Sequence, residues 1–215
     1  ISKNIRHAAH PDIKSIILKF NQALHTLDPE TRKTMLLKQA QTWVTEMPRS
    51  ILDSEASRAL QSFQTRKTLS VLATRALYVT DAFGSVRASI NDYPVFSYSA
   101  KPEWKKIINA SKESVYIGPV RFDAKVQSFL MSLAFPILNE KEKTIGVLHH
   151  VFDVKEFFSG SIEPITFGET GHVMLIDALG MVVDCPILPT GLMLPDSVLV
   201  KSVTGNSANW VETVG

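Results

Sequence analysis

Residues 77–86 read LYVTDAFGSV, and residues 173–182 read VMLIDALGMV. The two stretches align at an offset of 96 residues (173 − 77), with Asp, Ala, Gly and Val in register and apolar residues on both sides. Each predicts a strand, a tight turn and a returning strand, because Asp bonds backbone amides two residues on and Gly adopts a positive φ. One such turn is common in proteins, but two in register predict two copies of one module.

The region after the first hairpin predicts a small antiparallel sheet. A helix is expected at about residues 102–110, followed by strands at residues 114–122, 126–137 and 144–153. Residues 139–143 form a solvated turn between the last two strands. Short strands joined by tight turns are typical of antiparallel sheets rather than of βαβ units.

The first 75 or so residues predict three helices. Asp28-Pro29-Glu30 is a strong helix start, which predicts a second helix from Pro29 to about Met47. A third helix is expected to begin near Asp53 or Ser54. We therefore predict an α+β fold, with long N-terminal helices before the sheet modules. The first helix is indicated by apolar residues at helical spacing: Ile13, Ile16, Ile17, Phe20, Leu24 and Leu27.

Composition narrows the class of protein. The chain has 215 residues, of which 45% are hydrophobic and 20% charged, with a formal net charge of +2. This apolar content is enough for real cores and excludes disorder, and the balanced charge argues against a broad nucleic-acid surface. No run of 18 apolar residues occurs, so we expect any membrane segments to lie outside this sequence.

The second copy of the module is short. Only 33 residues follow Val182 (215 − 182), whereas the first sheet needs about 70 residues after its hairpin. We expect an N-terminal helical stalk at residues 1–73, a first module at residues 74–158 and the start of a second, incomplete module at residues 159–215.

The order of these elements resembles the double Cache (PDC, PAS-like) sensor family. The likeness covers most of the chain from about Leu77 onward, and the order and spacing of the stretches that carry it are fairly specific. Those stretches are residues 79–84 (VTDAFG), Glu103-Trp104, residues 134–137 (AFPI), 145–148 (IGVL), 167–177 (FGETGHVMLID) and 185–191 (CPILPTG).

The resemblance implies a location and a role. Such modules lie outside the cytoplasmic membrane of bacteria, here the periplasm, between two transmembrane helices, and they feed histidine kinases of two-component systems, chemoreceptors or cyclic-dinucleotide enzymes. A small ligand binds the membrane-distal module, between its sheet and the helix after the hairpin. The resemblance thus implies an extracytoplasmic sensor domain of a membrane receptor, with a homodimer through the N-terminal helices as a further expectation.

Several side chains are predicted to surround that ligand. In relatives that bind amino acids, an Arg and paired aromatics near Trp104 hold the ligand carboxylate, and an Asp at the place of Asp123 holds the amine. In this chain Lys101 could take the role of the Arg, and Lys105 stands where those relatives have an aromatic residue. The amino-acid pattern is therefore broken, and a small organic acid or related metabolite is the ligand class we expect. The predicted ligand-binding residues are Tyr98, Lys101, Trp104, Tyr116, Arg121, Asp123, Phe129 and His149. Packing is the alternative role for Trp104, and a solvated surface charge is the more common role for Lys101 and Arg121.

A metal site is not expected. His149 and His150 are adjacent in a predicted strand, where neighbouring side chains point to opposite faces and cannot chelate one ion with Asp153. One of the two imidazoles must point inward, as a polar group of the ligand site or as a core histidine. No cofactor is expected either.

An enzyme is not expected. Cys185 is the single cysteine, and nothing in the sequence places beside it the base that a thiol nucleophile needs, so a small buried side chain is its default role. No phosphate loop, G-x-S-x-G or H-E-x-x-H occurs. Two alternatives to the sensor remain open: a ligand-free dimerising module that signals through a partner protein, and a Cys- or His-dependent hydrolase.

Overall fold

The fold consists of N-terminal helices followed by antiparallel sheets, which confirms the predicted α+β class. A computed structural model describes residues 10–45, 51, 54–64, 73–90, 95–110, 114–158, 165–168, 171–177 and 179–195. The helices are α1 (Pro11–His25), α2 (Pro29–Thr45), α3 (Glu55–Gln64), α4 (Pro102–Ile108) and α5 (Val154–Phe158). The strands are β1 (Thr74–Asp81), β2 (Val86–Ser89), β3 (Tyr116–Ile117), β4 (Arg121–Asp123), β5 (Ser128–Leu138), β6 (Thr144–Asp153), β7 (Thr166–Phe167), β8 (Gly171–His172), β9 (Leu175–Ile176) and β10 (Val182–Asp184).

The chain divides into two compact units. Unit 1 is Ile1–Gly118 with Ser132–Val151, and unit 2 is Pro119–Met131 with Phe152–Gly215. In unit 1 the strands follow the order β2-β1-β6-β5-β3, and helices α1 to α4 belong to the same unit. Unit 2 contains the pairing of β4 with the start of β5, the two-stranded sheets β7–β8 and β9–β10, and α5.

The helices begin where the sequence predicts. Asp28 caps α2: its Oδ1 accepts hydrogen bonds from the amides of Glu30 (3.1 Å) and Thr31 (3.0 Å). Hydrogen bonds from the side chain and backbone of Thr31 lower the pKa of the Asp28 carboxyl below its usual value. At α3, Ser54 Oγ accepts from the amide of Ser57 at 3.1 Å. The predicted end of α2 near Met47 lies outside the described residues, as does Asp53.

Two strand predictions are wrong in detail. The single strand expected at residues 114–122 is broken into β3 and β4, because Pro119 has no N–H to donate to a ladder. β5 begins at Ser128 rather than Val126, because Gln127 takes a left-handed turn conformation with φ 52°. The solvated turn at residues 139–143 is confirmed: Asn139 Oδ1 accepts from the amides of Lys141 (3.0 Å) and Lys143 (2.9 Å).

The first hairpin turn is built around the Asp81 carboxylate. Its Oδ1 accepts from the amides of Phe83 (2.8 Å) and Ser85 (3.0 Å). Gly84 has φ 82°, and its amide donates to Asp81 O at 3.1 Å. An L side chain at Gly84 would be strained at this φ and would also collide with the backbone of Ser99.

The second hairpin turn repeats this construction. Asp177 Oδ1 accepts from the amides of Leu179 (2.8 Å) and Met181 (3.0 Å). Gly180 has φ 84°, and its amide donates to Asp177 O at 3.0 Å. Each bond of the first turn thus has a counterpart 96 residues later, with nearly the same length.

The offset also holds for the segment that returns along each hairpin. Residues 85 and 97 form an isolated antiparallel bridge, as do residues 181 and 193. The amide of Tyr98 donates to Gly84 O at 2.7 Å, and the amide of Leu194 donates to Gly180 O at 3.0 Å. Likewise, the amide of Val86 donates to Phe96 O at 2.9 Å, and the amide of Val182 donates to Leu192 O at 2.8 Å. The repeat seen in ten residues of sequence therefore extends over about 20 residues of structure, into a region with little sequence similarity.

The two copies differ in one buried ion pair. In the first, Arg87 Nε donates to Asp81 Oδ2 at 2.6 Å, and both side chains are at most 3% exposed. The residue 96 positions after Arg87 is Val183, which is also buried. Asp177 Oδ2 instead accepts a longer bond from the amide of Val120, at 3.4 Å.

Helix α1 is fixed to the first hairpin by a buried asparagine. Asn21 Oδ1 accepts from the amide of Ala82 at 3.0 Å, and its Nδ2 donates to Ile145 O at 2.7 Å. At Gly146 a Cβ would collide with the carbonyl oxygen of Thr80 and would lie only 3.1 Å from Ile17 Cγ2. Helix and sheet are therefore in close contact at the tip of the hairpin.

We predict that Asp81 contributes more to stability than its counterpart. Asp81→Ala removes the turn bonds and leaves the Arg87 charge buried without a counter-charge, which should cost about 3–5 kcal/mol. Asp177→Ala removes only neutral-donor bonds and should cost about 1–3 kcal/mol. Urea unfolding of both variants measures the difference.

A double variant serves as the matched control. Asp81→Asn keeps the Oδ1 acceptor, and Arg87→Met removes the cation. The free energy of unfolding of this double variant should therefore lie within about 2 kcal/mol of that of the natural protein. Equal losses for Asp81→Ala and Asp177→Ala would contradict the assigned role of the ion pair.

Candidate ligand-binding site

Three buried rings form a cluster on the sheet of unit 1. The His149 imidazole of β6 stacks on the Tyr78 ring of β1, with centroids 4.7 Å apart and planes 9° apart. The Tyr98 ring lies 5.0 Å from both of them. All three side chains are at most 3% exposed. Of the predicted site residues, the structure thus brings Tyr98 and His149 into contact.

This aromatic cluster lies on the sheet face opposite α1. Successive side chains of a strand alternate between the two faces. The missing Cβ of Gly146 points at Ile17 of α1, so His149, three residues farther along β6, faces the other way. The Tyr78 and Tyr98 rings, which contact His149, share that second face.

Burial keeps His149 uncharged. Desolvation lowers the pKa of its imidazole from 6.5 to about 3, so the ring is neutral at physiological pH. Its Nε2 lies 3.2 Å from Thr80 Oγ1, which also donates to Val147 O at 3.4 Å. Neutral hydrogen-bonding groups therefore line this part of the face.

Helix α4 runs from the aromatic cluster to the opposite edge of the sheet. It starts beside the aromatic cluster, since the amide of Lys101 donates to Tyr98 O at 2.8 Å, and it lies against β3 at the far edge of the sheet. Trp104, in the middle of this helix, is 9% exposed. Its indole Nε1–H is buried and meets no hydrogen-bond acceptor among the described residues. A donor in this state is a group that a ligand or a water could satisfy.

Lys101 and Tyr116 lie at the margin of this region. The residue before α4 is Lys101, whose side chain is exposed and makes no capping hydrogen bond. Tyr116 is half-buried on β3, where it pairs with Ala134, and the ammonium of Lys106 lies 5.7 Å from the centre of its ring.

The other three predicted residues belong to unit 2, on the hairpin formed by β4 and β5. Arg121 is exposed. Asp123 is half-buried, and its Oδ1 accepts from the amide of Lys125 at 2.8 Å, so it stabilises the turn of that hairpin. The Phe129 ring lies 5.2 Å from that of Phe122. Gly191 packs so closely on Phe129 that a Cβ there would overlap the ring.

The two adjacent histidines have separate partners. His150 Nε2 lies 2.9 Å from Thr74 Oγ1, whereas His149 contacts Thr80. Asp153 Oδ2 accepts a hydrogen bond from Ser128 Oγ at 2.5 Å. Asp153 also caps α5, because its Oδ1 accepts a hydrogen bond from the amide of Glu156 at 3.1 Å. In the part of the chain that the structure describes, no three His, Cys, Asp or Glu side chains are grouped as metal ligands.

Cys185, the single cysteine, has a free thiol. It is half-buried, whereas the sequence predicts a buried side chain. Its Sγ accepts a hydrogen bond from the amide of Leu188 at 3.3 Å. The thiol therefore takes part in the local turn after β10.

Sequence reasoning missed two members of the face, Tyr78 and Thr80. Both lie in the repeat stretch and were read as strand residues only. Their spacing of two residues was the available signal, because it places both side chains on one face of β1.

We predict that His149 makes the protein less stable in acid. Because the folded-state pKa is depressed, the unfolded chain binds a proton below pH 6.5 that the folded chain does not bind until about pH 3. Stability should therefore fall as the pH falls through this window, by up to about 1.4 kcal/mol per pH unit. Urea unfolding between pH 7 and 4 measures the slope.

The matched test compares two histidine substitutions. His149→Gln should reduce the pH slope below that of the natural protein, whereas His172→Gln, at an exposed position, controls for the loss of one histidine. An unchanged slope in His149→Gln would contradict the assignment.

Solved structures that match this chain include domains of a histidine kinase and of chemoreceptors. The extracellular domain of rpHK1S-Z16, described as a histidine kinase, matches 91% of this chain and 73% of its own at 16% identity, with a TM-score of 0.51. Two weaker matches are ligand-binding domains of chemoreceptors. CtaA of Pseudomonas fluorescens, in complex with L-serine, has 15% identity, coverages of 81% and 74% and a TM-score of 0.42. PctC of Pseudomonas aeruginosa, in complex with GABA, has 13% identity, coverages of 71% and 69% and a TM-score of 0.41.

Sequence comparisons give no match: no protein-family model and no curated protein matches the chain. None of the helices in the described residues is both long and apolar enough to cross a bilayer. The structural likeness to rpHK1S-Z16 shows that the chain shares the fold of that extracellular domain, as the resemblance to double Cache modules predicts.

Proposed function

We propose that the chain is the extracytoplasmic sensing part of a bacterial transmembrane receptor of the histidine kinase or chemoreceptor type. The first module, residues 74–158, is the membrane-distal one and binds a small molecule between its sheet and α4. The N-terminal helices carry the signal to the membrane, and segments outside this sequence anchor the protein. No catalytic role is assigned to this chain.

The observation that carries the proposal is the shared fold with the extracellular domain of rpHK1S-Z16 over 91% of the chain. The repeated hairpin adds support from within the molecule, because two modules on one scaffold are what a double sensor domain requires. The site evidence is helix α4, where Trp104 presents a buried donor without an acceptor among the described residues.

A route for the signal runs from the sheet to α1. Strand β6 carries His149 on one face, and at Ile145 O its backbone accepts the hydrogen bond of Asn21 from α1. The same asparagine holds the amide of Ala82 at the hairpin tip. A ligand that favours one packing of the sheet would thereby shift the position of α1, which is a population shift between two arrangements.

A ligand-free dimerising module is the second candidate. It is favoured by the burial of the aromatic cluster, since Tyr78, Tyr98 and His149 fill their part of the sheet face with their own rings. A hydrolase has no comparable support, because the Cys185 thiol is half-buried and is bonded to the amide of Leu188.

We predict that small molecules stabilise the protein. A ligand at 100 times its dissociation constant should add about 2.7 kcal/mol, which for a protein of this size raises the melting temperature by roughly 5–10 °C. Thermal melting against a broad metabolite panel provides the measurement. A panel without any stabilising compound would reject the ligand-binding sensor and favour the ligand-free dimerising module.

We also predict that Asn21 couples α1 to the sheet. Asn21→Ala should lower stability by about 2–4 kcal/mol, because it leaves the Ala82 amide and the Ile145 carbonyl unsatisfied. A stabilising compound should slow hydrogen exchange in α1 of the natural protein but not in this variant. Thr26→Ala, which removes a hydroxyl from the exposed end of α1, is the control. Equal protection of α1 in Asn21→Ala would contradict the route.

A further inference from the structure

The buried charges of unit 1 lie on one side of its sheet. Among the described residues of this unit, Asp81 and Arg87 are the only buried charged side chains, and they pair with each other. The Arg87 guanidinium also lies over the Phe20 ring of α1, 4.4 Å from its centre. This ion pair therefore faces α1 and offers no counter-charge to the opposite face.

Among the described residues, the buried polar groups of the sheet face opposite α1 and of α4 are all neutral. They are the Thr80 hydroxyl, the phenols of Tyr78 and Tyr98, the imidazole of His149 and the indole N–H of Trp104. Burial favours the neutral form of the imidazole. The cations nearest in sequence to Trp104 are Lys101, Lys105 and Lys106, and their side chains are exposed.

We propose that the ligand of this face is an uncharged molecule whose hydrogen-bond acceptor receives the Trp104 Nε1–H. This inference rests on the proposed sensing function and narrows its ligand class. A buried charge needs a partner charge or several hydrogen bonds, and the described residues of this face supply no buried charge. A neutral carbonyl, amide or heterocyclic oxygen or nitrogen would satisfy the indole donor without that requirement.

The proposal departs from the ligand class expected from sequence. A small organic acid would bring an anion to a face whose buried groups are uncharged, and Lys101, the expected cation, has an exposed side chain. An amino acid would bring two charges, and Asp123, the residue expected to bind its amine, accepts a backbone hydrogen bond within the β4–β5 turn of unit 2.

The test compares molecules that share a skeleton and differ in charge. Thermal melting is measured with benzamide, benzoate and benzylamine, with nicotinamide and nicotinate, and with isovaleramide, isovalerate and isoamylamine, beside a panel of nucleobases, lactams, amino acids and organic acids. We expect the stabilising compounds to be uncharged ones, and the charged partner of each to bind at least tenfold more weakly in titration calorimetry.

Two tryptophan variants test the role of the donor. Trp104→Phe keeps a large ring but removes the N–H. It should therefore lower the affinity for the uncharged compound that binds most tightly, by about 3- to 10-fold. Trp43→Phe is the matched control, because Trp43 is also a buried indole but lies on α2 against Phe96. It should leave the affinity unchanged.

The outcomes separate this inference from the proposed function. Stabilisation by amino acids or organic acids, but not by their uncharged analogues, would overturn the inference and leave the sensor function standing. Equal affinities in Trp104→Phe and the natural protein would likewise overturn it. No stabilisation by any compound of either class would overturn both.

Discussion

The carboxylate of Asp81 is the constraint on which the first module depends. It is fully buried and accepts three hydrogen bonds, from the amides of Phe83 and Ser85 and from Arg87 Nε. These bonds fix the turn between β1 and β2, and the same turn presents the amide of Ala82 to Asn21 of α1. A buried charge is costly unless it is paired, so the ion pair ties the turn, the sheet and the helix to one arrangement.

This arrangement gives the two faces of the unit 1 sheet different chemistry. The face toward α1 holds the ion pair and the Asn21 bonds, whereas the opposite face holds neutral aromatic and hydroxyl groups. One face is specified by charge and close backbone contact, whereas the described buried polar groups of the other face are neutral. Strand β6 belongs to both, through Gly146 on one face and His149 on the other.

The sequence predicted those parts of the fold that local chemistry decides. Asp28 before Pro29 marks a helix start, and Asp81 and Asp177 mark turns, because a short acidic side chain bonds nearby amides wherever the chain folds. The break between β3 and β4 was missed although Pro119 signals it, since the flanking residues are good strand formers.

The candidate site was predictable only in part. Tyr98, Trp104 and His149 are expected from the resemblance, which implies a site beside that helix, and all three are buried. Tyr78 and Thr80 share the face of Tyr98 and His149 but were not expected, because the alternation of a strand does not show which of its two faces is which. The Asp81–Arg87 pair was also missed, because a pairing across a hairpin depends on a register shift between Val79 and Thr80 that sequence does not show. Asp123 and Phe129 were named from family positions, and their observed partners, Lys125 and Gly191, reflect packing within unit 2.

One scaffold is used twice in this chain, and an acidic side chain holds each turn. Amide hydrogen exchange at single-residue resolution tests it most directly. We expect slow exchange at the amides bonded to Asp81 and, 96 residues later, at Leu179 and Met181. Asp81→Ala and Asp177→Ala remove these acceptors, and each should speed exchange first in its own hairpin. Exchange at Leu179 and Met181 as fast as in an unfolded chain would contradict it.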